Sequence, residues 1–179
     1  MILDGKKESA LLREEIKKEI LEIKKKTNKS PGLSVILIGD FLPSQIYVKN
    51  KEKNSKEVGI NSEIIKYPKE VKESEVLEKI QKLNNNNNVS GILVQLPLPA
   101  HISKEKIINA IKPSKDVDGF HPSNVGNLSL GYRSIVPCTP LGCLLLIKKV
   151  EKNLTGKHAV IIGRSNLNGK PMAQLLLKE

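Results

Sequence analysis

The chain has 179 residues, 39% of them hydrophobic, and it carries a net charge of +11 at neutral pH. This length accommodates one complete domain and part of a second. A transmembrane helix is excluded because the sequence has no run of about 18 apolar residues. The charged start (Asp4, Lys6 and Lys7) is also unlike a signal peptide. We therefore expect a soluble, cytoplasmic protein without a membrane partner.

The positive charge raises the possibility of nucleic-acid binding. It comes almost entirely from lysines, which alternate with glutamates, as at Lys17, Lys18 and Glu19. Only 3% of the residues are aromatic and tryptophan is absent, so the chain lacks a stacking platform for single strands. A solvated basic surface with no nucleic-acid partner is the favoured interpretation. The alternative, a basic nucleic-acid-binding module, predicts salt-sensitive binding.

Metal and redox sites are not predicted. The two cysteines, Cys138 and Cys143, match neither a redox pair nor a zinc knuckle. The three histidines are scattered, and none has a partner at ligand spacing. The cysteines are interpreted as reduced residues at the start of a helix.

From the N-terminus to about residue 111, amphipathic segments alternate with short apolar runs. The periodicity predicts helices over residues 9–26, 43–58, 71–83 and 103–111, with Gly59 as a stop signal and Ser103 as a cap. The apolar runs predict buried strands over residues 33–38, 60–67 and 91–96. The asparagine run 84–88 is interpreted as a tolerated surface insertion. This alternation predicts an α/β fold with a parallel sheet.

The pattern changes after residue 113. Proline, glycine, asparagine and serine recur up to residue 137, which predicts a loop. A helix over 139–150, a strand over 157–162, a turn over 163–169 and a helix from residue 170 follow. Because a doubly wound nucleotide-binding domain repeats a unit of roughly 30 residues, on the order of a hundred further residues are expected beyond residue 179.

Ligands of open parallel sheets bind at the carboxyl ends of the strands. Six polar side chains follow predicted strands or the next helix: Ser44, Tyr47, Lys51, Gln95, Asp116 and Asp118. Together they predict a pocket lined by phenol, ammonium, amide and carboxylate groups. Taken singly, each has a simpler explanation: a core-edge tyrosine, a solvated lysine, a strand-capping amide and Asx turns. The residues alone leave both interpretations open.

Five stretches, in order, resemble the bifunctional methylenetetrahydrofolate dehydrogenase/cyclohydrolase family. They are Ser44–Lys51 (SQIYVKNK), Val94–Pro99 (VQLPLP), Lys115–Gly119 (KDVDG), Pro137–Gly142 (PCTPLG) and Gly163–Pro171 (GRSNLNGKP). The opening Ile2–Lys6 also resembles the start of that family. The resemblance implies a folate-binding catalytic domain (residues 1–135) and the beginning of a Rossmann-type NADP-binding domain (136–179). The boundary is expected near residues 132–155, with folate bound between the two domains.

The implied activity is oxidation of 5,10-methylenetetrahydrofolate by NADP, followed by hydrolysis of the methenyl product to 10-formyltetrahydrofolate. A homodimer is implied for the full-length protein. By the family's pattern, Lys51 is the main catalytic residue of the hydrolysis, Tyr47 orients the folate, Gln95 contacts the lysine and Asp118 holds the pterin. The remaining implied substrate-binding residues are Ser44, Val94, Leu96 and Pro99. The alternatives are a dehydrogenase-only relative and an inactive folate-binding fragment.

Two chemical roles remain open for the lysine. A lysine acts as a base only if burial or neighbouring cations lower its pKa from about 10.4. Alternatively, a charged lysine polarises a hydrogen-bonded group. The sequence does not choose between these roles.

The resemblance places the NADP site in the turn after the predicted fourth strand. Its implied residues are Gly163, Arg164, Ser165, Gly169 and Pro171, with the arginine contacting the 2′-phosphate and the following helix start attracting phosphate. Asn168 departs from the pattern, because relatives commonly carry an apolar residue there. It is expected either to loosen the turn or to face solvent.

Overall fold

The computed structural model describes residues 2–179 and confirms an α/β fold. The chain forms two compact units, one comprising residues 6–115 and the other residues 2–5 with 116–179. The predicted domains, 1–135 and 136–179, remain a prediction.

The unit of residues 6–115 is built on a parallel sheet. Among residues 2–179 the structure has three strands, in the order β2-β1-β3, and both neighbouring pairs are parallel. The elements in chain order are α1 (Gly5–Thr27), β1 (Gly32–Ile38), α2 (Leu42–Val58), β2 (Asn61–Tyr67), α3 (Glu73–Asn85), β3 (Gly91–Val94), α4 (Lys104–Ala110) and a 3-10 turn (Pro113–Lys115).

The predicted strands and helices of this unit are confirmed, with shifts of a few residues at their ends. β1 and β3 read as continuous apolar runs because they are buried on both faces. One face packs against α3 and α4, with Ile36, Ile80 and Ile107 fully buried in the core. The helix α2 lies against β1 and β2.

Local signals mark the end of α2 and the start of α4 where the sequence predicts them. Gly59 follows α2 in the left-handed region, with φ of 93°, and its N–H donates to Lys56 O. Ser103 precedes α4, and its side chain accepts from the N–H of Lys106.

The asparagine run differs from its prediction as a surface insertion. Asn84 lies inside α3 and is buried. Its Nδ2 donates to Ala110 O at 2.7 Å, and its Oδ1 accepts from Lys112 N at 2.9 Å. The first asparagine of the run therefore ties the end of α3 to the end of α4, while Asn85 and Asn87 are exposed.

The second unit contains α5 (Pro122–Ser129), α6 (Cys138–Val150) and α7 (Gly169–Leu177). Its core gathers Leu128, Leu144 and Leu175, one from each helix. The prediction of a loop over residues 113–137 is wrong for Pro122–Ser129, which form the helix α5. Pro122 occupies its first turn and the His121 side chain caps it, but Gly126 and the neighbouring polar residues conceal the helical pattern.

The predicted strand over residues 157–162 is also wrong. These residues form no helix or strand, and Val160 and Ile162 are 79% and 100% exposed. A strand requires a hydrogen-bonded neighbour, and the three strands found in residues 2–179 all belong to the other unit.

None of the helices described in residues 2–179 combines the length and the apolar character that crossing a membrane requires.

Candidate functional site

The carboxyl edge of the sheet brings together residues from two segments. The segment after β1 leads into α2, and the segment after β3 begins with Gln95. Because β1 and β3 are neighbours, these segments lie side by side. The backbone N–H of Gln95 extends the ladder by donating to Ile36 O at 2.9 Å.

Lys51 and Gln95 are in direct contact. Lys51 Nζ donates to Gln95 Oε1 at 3.1 Å, across 44 residues of sequence, and both side chains are half-buried. A lysine carries three N–H donors when charged, and this bond uses one of them. The structure therefore contains the contact between Lys51 and Gln95 that the family resemblance implies.

The orientation of the Gln95 amide is set at its other end. Its Nε2 donates to Leu96 O at 2.7 Å, which directs Oε1 towards the lysine. The Leu96 carbonyl also accepts a long bond, 3.4 Å, from the buried Ser44 hydroxyl. The Leu96–Pro97 peptide is cis. Four of the predicted substrate-site residues thus form one hydrogen-bonded chain: Ser44, Leu96, Gln95 and Lys51.

Tyr47 is 60% exposed, so it is not part of the core edge. It stands one turn before Lys51 on α2, with its ring accessible to a ligand. Of the remaining predicted contacts, Val94 is buried as the last residue of β3 and Pro99 is half-buried. The Val94 side chain is therefore part of the core.

Asp118 belongs to the other compact unit, where a tight turn presents it. The Gly119 N–H donates to Asp116 O at 3.2 Å, which makes Val117 and Asp118 the central residues of the turn. Gly119 has φ of 68°, and a Cβ there would lie 2.7 Å from Ile135 O. Glycine is therefore required at this position.

The side chain of Asp116 is a structural part of this turn. It is 2% exposed, and its Oδ2 accepts from His121 N at 2.8 Å and from Asn124 Nδ2 at 2.9 Å. The carboxylate therefore joins the turn to the start of α5. Sequence reasoning missed Asn124, because it lies in a segment predicted to be a loop.

Lys115, just before the turn, binds the end of α3. Its Nζ donates to Leu83 O at 3.0 Å and to Asn86 O at 2.8 Å. Burial, followed by the charge of Lys112, lowers the pKa of Lys115 below its usual range. A cation at the carboxyl end of a helix satisfies carbonyls that lack helical partners.

The predicted cofactor segment precedes α7. Ser165 Oγ accepts from Asn168 N at 3.0 Å and from Gly169 N at 3.4 Å, so this hydroxyl caps the helix. Two N–H groups expected to attract phosphate are therefore already bonded, while the Ser165 O–H remains a donor. Arg164 is exposed, and Asn168 faces solvent, the second of its two expected placements.

Gly169 and Pro171 are buried in this segment. A Cβ on Gly169 would lie 2.3 Å from Gly163 O, so the two chain segments can approach only because residue 169 is glycine. Within residues 2–179, no group of three or more His, Cys, Asp or Glu side chains is placed to hold a metal ion.

Two family models match the chain. Residues 3–118 match the model described as tetrahydrofolate dehydrogenase/cyclohydrolase, catalytic domain, and residues 137–179 match that family's NAD(P)-binding domain. Curated relatives include the bifunctional protein FolD of Pelagibacter ubique, which is 66% identical over 100% of this chain and 64% of its own length. The FolD protein of Listeria innocua is 52% identical over 99% and 62%, respectively. The chain therefore spans about three-fifths of the length of these relatives.

Solved structures agree. The bifunctional enzyme FolD of Campylobacter jejuni superposes with a TM-score of 0.96 at 49% identity, covering 99% of this chain and 63% of that one. The Trypanosoma brucei methylenetetrahydrofolate dehydrogenase-cyclohydrolase, solved with NADP and an inhibitor, gives a TM-score of 0.95 at 32% identity, covering 99% and 61%.

Proposed function

This chain belongs to the tetrahydrofolate dehydrogenase/cyclohydrolase family, and we propose that it carries the folate chemistry of a bifunctional enzyme. The first reaction oxidises 5,10-methylenetetrahydrofolate with NADP. The second hydrolyses the resulting methenyl compound to 10-formyltetrahydrofolate. The hydrogen bond between Lys51 and Gln95, at the carboxyl edge of the parallel sheet, is the observation that carries the proposal.

In the hydrolysis, the oxygen of water adds to the methenyl carbon, and the water gives up a proton to solvent. The bond from that carbon to N5 then breaks with its electron pair on N5, which takes up a proton. The added hydroxyl loses its proton and becomes the carbonyl oxygen of the formyl group on N10. Lys51, held by Gln95, directs an N–H group at the water or at the reacting centre. Loss of one positioned hydrogen-bond donor of this kind costs about 10²- to 10³-fold in rate.

For the oxidation, bound NADP would supply the hydride acceptor, and the part of the protein would be to hold the two reacting rings in place. The donor set of the segment before α7 fits a phosphate-bearing cofactor, because Arg164 and Ser165 are exposed and carry N–H and O–H donors. We propose that Arg164 contacts the 2′-phosphate of NADP. The buried Gly169 and Pro171 keep the turn compact.

Tyr47 and Asp118 complete the proposed folate contacts. The exposed ring of Tyr47 offers a face for the folate. A carboxylate accepts paired N–H donors of a pterin, which is the role proposed for Asp118.

Lys51→Ala tests the proposal. We expect the chain to hydrolyse methenyltetrahydrofolate above the buffer rate, and Lys51→Ala to lower the enzymatic rate by at least about 10²-fold. The assay follows loss of the methenyl absorbance. Lys53→Ala is the matched control, because it removes an exposed lysine from the same helix. An unchanged rate in Lys51→Ala contradicts the role.

We also propose a cytoplasmic homodimer that binds neither nucleic acid nor membrane. Support for the nucleic-acid part comes from ion pairs on exposed helix faces, as between Lys25 and Glu22 and between Lys82 and Glu78. Sedimentation equilibrium measures the dimer. Binding of DNA or RNA at low salt contradicts the exclusion of nucleic acid.

A further inference from the structure

The carboxylate of Asp116 and the amide of Asn124 form a buried pair beside the turn that carries Asp118. The two side chains are 2% and 5% exposed, and the bond between them is 2.9 Å long. A buried carboxylate is stable only when hydrogen bonds compensate its lost hydration. Because Asp116 lies two residues before Asp118, the hydrogen bonds that stabilise its buried carboxylate also fix the start of the turn.

Three hydrogen bonds converge on Asp116. Its main-chain oxygen closes the turn with the N–H of Gly119 at 3.2 Å. Its Oδ2 accepts from the His121 N–H and from Asn124 Nδ2. The turn that holds Asp118 is thus closed by the main-chain oxygen of Asp116, while the Asp116 carboxylate is held by the His121 N–H and by the amide that α5 supplies.

We infer that Asp116 and Asn124 are a positioning pair that sets the direction of the Asp118 carboxylate for pterin recognition. The inference rests on the proposed function, in which Asp118 accepts from the pterin. Recognition of two adjacent N–H donors depends on the angle of the carboxylate, so a small rotation of the turn costs selectivity before it costs folding.

The test compares two ligands on the full chain. Folic acid presents the 2-amino group and the N3–H donor, whereas its 2-oxo analogue presents a carbonyl where the amino group was. We expect the unsubstituted chain to prefer folic acid by more than about tenfold, since a carbonyl facing a carboxylate leaves both unpaired. Asp118→Ala abolishes the preference.

Asn124→Ala is expected to reduce the preference to within about threefold while the chain remains folded by circular dichroism. Asn84→Ala is the matched control: Asn84 is buried to the same extent as Asn124 and its side-chain amide also donates a hydrogen bond, but it lies between α3 and α4. We expect it to leave the preference unchanged. Asp116→Asn, which keeps an acceptor oxygen but loses the charge, gives an intermediate preference and serves if Asn124→Ala does not fold.

The outcomes distinguish failure of the positioning role from failure of the proposed function. If Asp118→Ala removes the preference but Asn124→Ala and Asp116→Asn keep it, the positioning role is overturned. Equal weakening of both ligands in Asn124→Ala also overturns it, because that result reflects a structural role alone. A chain that binds neither ligand overturns the proposed function, and this inference with it.

Discussion

At the residue scale, the bond between Lys51 and Gln95 depends on which end of the amide faces the lysine. Leu96 O occupies the amide nitrogen, so only the oxygen is available to Lys51 Nζ. Because Gln95 Oε1 already holds the Lys51 side chain, that side chain has less rotamer entropy left to lose when a ligand binds. The two side chains are therefore held in place by the protein itself, an arrangement that suits the catalysis by positioning proposed above.

Glu73 provides a pH-dependent contact elsewhere in the same unit. Its two oxygens accept from Lys106 Nζ at 2.8 Å and from Ser103 N at 2.6 Å. The bond from Lys106, followed by the bond from Ser103, lowers the pKa of Glu73 below its usual value. The carboxylate therefore connects the start of α3 to the start of α4 in its charged form.

A depressed pKa in the folded chain stabilises it above the unfolded value of about 4.3, and that stabilisation disappears as the pH falls through the folded pKa. We expect Glu73→Gln to be less stable than the unsubstituted chain at pH 7, with the difference shrinking as the pH falls below about 4.3. Urea unfolding across this range measures it. Glu75→Gln, in the same helical turn, is the control. A difference that does not change with pH contradicts the assignment.

At the scale of elements, Asn84 links the end of α3 to the end of α4. Both hydrogen bonds of its side chain reach the end of α4, and Lys112 and Lys115 add bonds to the carbonyls at the end of α3. The end of α3 is thus stabilised by side chains from outside the helix, whereas α2 ends at a glycine, Gly59.

Asn84→Ala is expected to destabilise the unit of residues 6–115 by about 2 kcal/mol, because the Ala110 carbonyl and the Lys112 N–H lose their partner. Urea unfolding provides the measurement. Asn87→Ala, three residues along the same run, is expected to change stability by less than about 0.5 kcal/mol since its side chain is exposed. Similar effects of the two substitutions would disprove the junction.

The elements also show which features the sequence predicts. β1 and β3 are predictable because a strand buried on both faces must be apolar throughout. The rule that ligand sites form at the carboxyl ends of parallel strands places Lys51 and Gln95 at one edge of the sheet, whereas their direct contact is implied only by the family resemblance. Asn84 and the pair of Asp116 and Asn124 are not predictable locally, because their partners lie in other elements and polar residues in sequence resemble loops.

At the scale of the molecule, the missing strand at residues 157–162 has a different cause. The apolar run is present, but a strand forms only when another strand completes its ladder. The local sequence therefore predicts that a segment can form a strand, but whether it does depends on a neighbouring strand with which it can form hydrogen bonds. The family resemblance covers the chain in order, and it adds the chemical roles that periodicity does not give.

The boundary between the domains is decided by the residues against which α5 packs. The predicted boundary at residue 135 assigns α5 to the first domain, whereas the Leu128 side chain shares a core with Leu144 and Leu175.

If α5 folds with α6 and α7, Leu128→Ala removes about 3 kcal/mol from that unit alone. Hydrogen exchange should then accelerate in α6 and α7 and stay unchanged in β1, because local opening reports the unit that lost stability. Leu83→Ala, in the core of the other unit, is the reciprocal control and should accelerate β1. Acceleration of β1 by Leu128→Ala would instead support the boundary at residue 135.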